Sequence, residues 1–302
     1  MNIDLQKVIG SSLSLRIVAS LARSLSPRLG YRIASGLADQ VARQESSALI
    51  RALRLNQWIA NRQTLQGDAL DEIVWATLCY SAHSLFDLYH YGYDFEATRQ
   101  LIVFDSSFAA IARRSQFEER GLIIAGLHLS NFDLVLQWLS KDGRKPLLIT
   151  MPNPQGGRYI EYEVRKRAGM DVLPASVNAL RQALKHLRGG GMVLTGIDRP
   201  VDKPEVCPRF FGYPAALPVH HIFLAIKAHV PVVMTATYLQ PDGIYHVFAS
   251  DPIEMDFCAD ATQGIIRNAE KVLLVAEEFI RRSPPQWIVP LPVWPQMTDL
   301  TP

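Results

Sequence analysis

The segment Gly121–Asp133, GLIIAGLHLSNFD, contains the pattern from which the fold is inferred. It opens with an apolar run, which is typical of a strand buried on both faces of a parallel sheet. The mostly apolar residues 134–139 then predict a helix, with Ser130 or Asn131 as its N-cap. The segment therefore predicts a strand, a tight turn and a helix. His128 falls at the carboxyl end of the strand, the edge at which open α/β sheets bind ligands.

His128 and Asp133 lie five positions apart across this turn, an arrangement with a direct chemical use. A neutral imidazole can accept a proton from a hydroxyl group when a carboxylate holds it in one tautomer and stabilises the imidazolium that forms. No nucleophilic serine or cysteine is needed if the substrate brings the hydroxyl and the electrophile is an activated thioester. The alternative is a structural histidine at a strand end, with Asp133 serving only as a charge in the first helical turn.

From Leu101 onward, short apolar runs alternate with helical patterns, which predicts βαβ units. The predicted strands are 121–126, 146–150, 171–173, 191–197, 231–238 and 244–250, and the predicted helices are 131–139, 157–168, 177–188, 218–229 and 262–282. We therefore expect an α/β fold with a mainly parallel central sheet flanked by helices. A helical N-terminal part, residues 1–100, is expected to precede the catalytic domain, residues 101–302.

Three further segments agree in order and spacing with a known pattern: TGIDRP at 195–200, FFGYPA at 210–215 and PQW at 285–287. With the H-x4-D pattern of His128 and Asp133, they make the chain resemble the lysophospholipid acyltransferase superfamily from about residue 10 to about residue 290. It looks most like the lipid A biosynthesis branch, which includes lauroyl and myristoyl transferases and phosphatidylinositol mannoside acyltransferases. The resemblance implies a glycerol-3-phosphate acyltransferase-like fold.

The resemblance also implies an O-acyltransferase of lipid biosynthesis. His128 would be the general base that deprotonates an acceptor hydroxyl, and Asp133 would orient it. The acyl donor would be acyl-CoA or an acyl-carrier protein, with no cofactor and no metal. The resemblance does not decide among four classes of acceptor: a lipid A precursor, a lysophospholipid, a mannoside and another glycolipid. Two alternatives are a thioesterase or lipid hydrolase that uses the same pair, and a non-catalytic lipid-binding protein.

Further residues are candidates for substrate binding. Asp198 ends a predicted strand, and the resemblance places Asp198 and Arg199 near the acceptor head group, to bind it or to order the site rather than to transfer a proton. Arg165 and Arg167 lie in the densest basic cluster of the core and suit the capture of phosphate, although a solvated helix face is the simpler reading. The remaining substrate-binding candidates are Asn131, Phe211, Gly212 and Pro214. The Gln286–Trp287 motif is expected to anchor the C-terminal segment.

Composition and charge limit the classes of protein to which the chain can belong. The chain has 302 residues, of which 48% are hydrophobic and 20% are charged, so it can form a sizeable core. Its net charge of +2 indicates no partner by itself, and we expect no nucleic acid partner. The three cysteines are isolated, which favours a reducing compartment and argues against a disulfide framework or structural zinc.

The N-terminal part favours a membrane surface. Residues 1–60 contain eight basic and three acidic side chains. An apolar stripe at i+4 spacing, flanked by arginines, is typical of a helix that lies on an anionic bilayer; it is formed by Ile9, Leu13, Ile17, Leu21 and Leu25. An ordinary packed helix with solvated arginines is the alternative. With no run long enough to span a bilayer and no signal peptide, we expect peripheral attachment at the cytoplasmic face of the inner membrane.

Overall fold

The computed structural model of the chain describes residues 20–92, 94–113, 120–141, 146–150, 162, 165–166 and 169–302. Some predictions fall wholly or partly on other residues and so lie outside the described part of the chain: the apolar stripe up to Ile17, the helix 157–168, and Arg167.

The N-terminal part is helical, as predicted. Its helices are α1 (Pro27–Ala42), α2 (Ala48–Ala60), α3 (Gly67–Tyr91) and α4 (Phe95–Gln100). Pro27 occupies the first turn of α1, where its missing N–H costs nothing. The Ser47 hydroxyl caps α2 by accepting from the Ile50 amide. Helix α1 packs along α3. Across the described residues, no helix combines the length and the apolarity needed to cross a membrane.

One seven-stranded sheet forms the centre of the molecule, with strand order β1-β9-β8-β2-β5-β3-β4. Its strands are β1 (Ile102–Phe104), β2 (Leu122–Gly126), β3 (Leu147–Thr150), β4 (Asp171–Pro174), β5 (Met192–Gly196), β8 (Val232–Leu239) and β9 (Tyr245–Ala249). All pairs are parallel except β8 with β9. A separate hairpin joins β6 (Arg209–Phe210) and β7 (Tyr213–Pro214). The six predicted strands are all present, whereas β1 and the hairpin were not predicted.

Helices cover both faces of this sheet. They are α5 (Ser106–Arg113), α6 (Phe132–Lys141), α7 (Val177–Arg188), α8 (His220–Ala228) and α9 (Ala261–Arg282). In β2, Ile123 and Ala125 join the core formed with α2, α7, α8 and α9, whereas Leu122 and Ile124 join the core formed with α3, α5 and α6. Because both faces are buried, the strand is apolar throughout. The predicted fold class is confirmed.

The register between β2 and β5 positions the site. The two strands are neighbours and parallel, and Gly126 pairs with Gly196. His128 and Asp198 each follow their paired glycine by two residues, so the two side chains emerge next to each other at the carboxyl edge of the sheet.

Candidate active site

The turn between β2 and α6 is fixed by its own backbone and by a distant segment. Leu127 and Leu129 are buried on either side of His128. Ser130 adopts a left-handed conformation, with φ of 50°, which turns the chain towards α6. The C-terminal segment pairs with this turn: the Ser130 amide donates to the Gln286 carbonyl at 2.9 Å, and the Ile288 amide donates to the His128 carbonyl at 2.8 Å.

The carboxylate at the His128 ring is Asp198. His128 Nδ1 lies 2.6 Å from Asp198 Oδ1, and the His128 amide donates to Asp198 Oδ2 at 2.9 Å. The Trp287 indole N–H also donates to Oδ2, at 2.8 Å. The Asp198 side chain is fully buried. Burial acts to raise the pKa of this carboxyl, but the charge and hydrogen bonds of His128 and the Trp287 bond outweigh it, so the pKa lies below its ordinary value.

This pairing defines what the imidazole can do. An ionised carboxylate only accepts hydrogen bonds, so the hydrogen between Nδ1 and Oδ1 belongs to Nδ1 of His128. In the neutral ring, Nε2 then carries the lone pair. The His128 side chain is 23% exposed and lines a cavity of about 300 Å³ at the edge of the sheet. The arrangement is therefore that of a general base with an orienting carboxylate.

The predicted pairing of His128 with Asp133 is not the one found. Asp133 lies in the first turn of α6, and its Oδ1 accepts from Arg165 Nε at 2.6 Å. Both side chains are largely buried, at 9% and 12% exposure. The Arg165 guanidinium also lies 5.7 Å from the centre of the Phe132 ring, which in turn meets the edge of the His128 ring. Asp133 thus holds an arginine at the cavity wall.

The cavity brings together some of the predicted substrate-binding residues. Arg165 and Arg199 both line it, and Asp198 lies behind His128. Its apolar wall comes mainly from β3, from β5 and from the segment just before α8, and includes Leu148, Ile149, Leu194 and Pro218.

Other predicted residues lie elsewhere. In the described part of the chain, Asn131, Phe211, Gly212 and Pro214 are not among the residues that line this cavity. The Asn131 side-chain Nδ2 donates to the buried Ser84 carbonyl at 2.8 Å, which ties the start of α6 to α3.

The hairpin of β6 and β7 supports the site from behind. Phe211 and Gly212 at its tip have φ of 51° and 83°, a turn that favours glycine. The Phe211 amide donates to Glu277, whose other oxygen accepts from Arg281 at 2.7 Å. The Phe211 ring centre lies 6.1 Å from that of Trp287. The hairpin therefore packs against the indole that bonds Asp198.

Two contributors were missed by sequence reasoning. Trp287 was expected only to anchor the C-terminal segment, because nothing in the sequence links it to Asp198, 89 residues away. His220, at the start of α8, lines the cavity, and its Nε2 lies 2.8 Å from Thr195 Oγ1. Burial lowers the pKa of His220 to about 4, so the ring is neutral at neutral pH. The sequence signal that could have indicated this role is the position of His220, which follows Pro218 and begins an apolar helix.

Comparison with known families matches residues 110–295 to the family described as bacterial lipid A biosynthesis acyltransferase. A comparison with curated proteins gives no match. The matched region is more than half of the chain and contains His128, Asp198 and Trp287, as well as the four segments that carried the resemblance. The chain therefore belongs to the bacterial lipid A biosynthesis acyltransferase family.

Proposed function

We propose that the protein transfers a fatty acyl group from an acyl thioester, acyl-CoA or acyl-carrier protein, to a hydroxyl of a membrane lipid or glycolipid. The observation that carries this proposal is the 2.6 Å pair of His128 and Asp198 at a mainly apolar cavity. A base at such a cavity suits a reaction in which the acyl chain needs apolar surface and the acceptor supplies the hydroxyl.

In the proposed reaction, His128 Nε2 accepts the proton of the acceptor hydroxyl while its oxygen attacks the thioester carbonyl carbon. Asp198 stabilises the imidazolium that forms. Backbone amides in the first turn of α6 would stabilise the oxyanion. When the carbon–sulfur bond breaks, the thiolate leaves with the proton from the imidazolium. This scheme replaces Asp133 with Asp198 as the orienting carboxylate.

Arg165 and Arg199 are proposed to bind phosphate groups of the donor or acceptor. Both line the cavity, and the Asp133 bond fixes the Arg165 side chain there. Because the guanidinium fork matches phosphate oxygens, arginine suits this role better than lysine.

Peripheral attachment to the cytoplasmic face of the inner membrane completes the proposal. On α1, Leu29, Ile33 and Leu37 recur every four residues and are 47%, 45% and 52% exposed. Arg28 and Arg32 are exposed on the same helix. Exposed apolar residues beside arginines suit an anionic bilayer surface.

The test is mass spectrometry of lipids after purified protein is incubated with mixed acyl donors and a membrane lipid extract. A new acylated lipid is expected, and His128→Ala should reduce its formation by roughly 10²–10⁴-fold, the usual contribution of a general base. Free fatty acid as the sole His128-dependent product would instead indicate a hydrolase. If no product forms with any donor, the catalytic proposal is wrong.

A further inference from the structure

A buried hydrogen-bonded cluster joins α1 to the central sheet. At its centre is Asp87 on α3, whose side chain is almost fully buried. The Tyr31 hydroxyl on α1 donates to Asp87 Oδ1 at 2.7 Å, and the Tyr245 hydroxyl on β9 donates to Asp87 Oδ2. A buried carboxyl group without hydrogen-bond partners is strongly unfavourable. Asp87 therefore stabilises the position of α1 relative to the sheet.

The same stretch of α3 also holds the turn that carries His128. Asn131, three residues after His128, donates from its side-chain Nδ2 to the Ser84 carbonyl at 2.8 Å. Because Ser84 precedes Asp87 by three residues, the two lie on the same face of α3. The Asn131 side chain also reaches the Tyr245 hydroxyl, where its hydrogen bond acts to lower the pKa of that tyrosine. The cluster around Asp87 and the turn therefore share their support.

Tyr31 lies on the face of α1 opposite the one proposed to contact the bilayer. The exposed apolar stripe of α1 consists of Leu29, Ile33 and Leu37. With 3.6 residues per helical turn, the Tyr31 side chain is roughly 160° from the middle of this stripe. Beside α1, the exposed Trp75 indole on α3 donates to Asp39 Oδ1 at 2.6 Å, and tryptophan is favoured at membrane interfaces. A bilayer that contacts α1 and this indole together favours the arrangement in which α1 is packed on α3.

We propose that Asp87 is a positioning residue that couples bilayer contact at α1 to the turn that carries His128. The inference rests on the proposed function, which assigns the bilayer to α1 and the base to His128. A bilayer that holds α1 on α3 keeps Tyr31 against Asp87, and the cluster then orders the turn. By linkage, an ordered turn strengthens bilayer binding to the same degree. The base is therefore more ordered at the bilayer, where the lipid acceptor lies, than in solution.

Hydrogen exchange of the full chain, measured by mass spectrometry, tests this coupling without any turnover. Exchange is compared with and without vesicles of equimolar phosphatidylethanolamine and anionic phosphatidylglycerol. In wild type, the vesicles should slow exchange in α1 and also, by about fivefold or more, in residues 131–136, as expected for typical coupling between two sites. Tyr31→Phe keeps the ring packed on Phe86 and removes only the hydroxyl. The vesicles should then still protect α1 but slow exchange in the turn by less than about twofold.

Tyr238→Phe is the matched control. It also removes one tyrosine hydroxyl bond, of 2.6 Å to the Phe279 carbonyl, but in the core on the other face of the sheet. This variant should keep the wild-type response to vesicles in both segments. If circular dichroism shows that Tyr31→Phe is misfolded, Asp87→Asn decides, because an amide offers one acceptor oxygen in place of two. It should lose the response of the turn and keep that of α1.

The contrary results are distinct. The coupling is wrong if the vesicles protect α1 but not the turn, if Tyr31→Phe responds like wild type, or if Tyr238→Phe loses the response as well. Vesicles that leave α1 unprotected would overturn its attachment to the bilayer, and this inference with it. Because neither donor nor acceptor takes part in the measurement, an inactive enzyme would overturn only the proposed transfer reaction.

Discussion

The turns that follow β2 and β5 differ in a way that the sequence conceals. Each carries a buried aspartate at the same edge of the sheet: Asp133 after β2 and Asp198 after β5. Asp133 shares a turn with His128 but bonds Arg165. Asp198 is 70 residues away from His128 and bonds its ring. Spacing along the chain therefore locates the turn, whereas strand register selects the carboxylate that reaches the base.

The two aspartates also differ in how they are held. Asp198 receives three hydrogen bonds, from the His128 ring, the His128 amide and the Trp287 indole. Such a site stabilises the ionised carboxylate and fixes the imidazole in one tautomer. Four predictions test whether this difference between the two turns matters for catalysis and for stability.

The largest effect is expected from exchanging the aspartates for asparagine one at a time. Asp198→Asn keeps the shape but removes the charge that orients His128, so kcat should fall about 10²–10⁴-fold, as for other orienting carboxylates. Asp133→Asn should cost about tenfold or less and should act mainly on KM, through the position of Arg165. The measurement is steady-state acyl transfer by both variants; a larger kcat loss for Asp133→Asn would reverse the assignment.

A smaller loss is expected when the indole donor is removed. Trp287→Phe deletes one hydrogen bond to a buried carboxylate, a contribution of about 1.5–3 kcal/mol, so kcat should fall by roughly 10- to 100-fold. Trp294→Phe is the control, because this buried indole lies in the same aromatic cluster and its N–H has no hydrogen-bond partner among the described residues. Equal kcat values for the two variants would assign Trp287 to packing alone.

The paired glycines at the ends of the strands offer a third comparison. A methyl group on Gly196 would lie 3.2 Å from His128 Cε1, whereas one on Gly126 would lie 3.9 Å from its nearest neighbour, the Thr195 carbonyl oxygen. Gly196→Ala should therefore displace the ring by a few tenths of an ångström and lower kcat about tenfold. Gly126→Ala should leave kcat within about twofold of the wild-type value, because its added methyl group has more room. Similar kcat values for the two variants would mean that the His128 ring tolerates the displacement.

The smallest effect concerns stability in acid. Because the folded pKa of Asp198 lies below its unfolded value of about 4, the unfolded chain binds more protons as the pH falls through this range. The stabilisation is complete above about pH 4 and is lost as the pH falls through the folded pKa. Urea unfolding of wild type and Asp198→Asn should give curves of free energy against pH that converge below about pH 4. Parallel curves would contradict the lowered pKa.

The sequence predicted the elements well, because the strands β2, β5 and β8 are long apolar runs buried on both faces. Strand β1, with three residues, and the β6–β7 hairpin, with two residues in each strand, are too short to show a period. The ends of both central strands were also located, so His128 and Asp198 were each predicted at the carboxyl end of a strand.

The partner of His128 could not be predicted in the same way. The pairing of His128 with Asp198 depends on β2 and β5 being neighbours with Gly126 opposite Gly196, and strand order is a property of the whole fold. The roles of Trp287 and His220 depend on the same long-range packing. The H-x4-D spacing favoured Asp133 because it records only nearness along the chain.

The C-terminal segment has a consequence for how the protein is made. Gln286 and Ile288 pair with the turn that carries His128, and Asn56 on α2 binds the backbone of Val289, Leu291 and Val293. A nascent chain that has emerged only as far as α9 already contains His128 and Asp198 but lacks the indole and the backbone ladder that fix them. We therefore expect the base to reach its working geometry only after residues 284–293 have left the ribosome, so that a shorter nascent chain lacks a completed site.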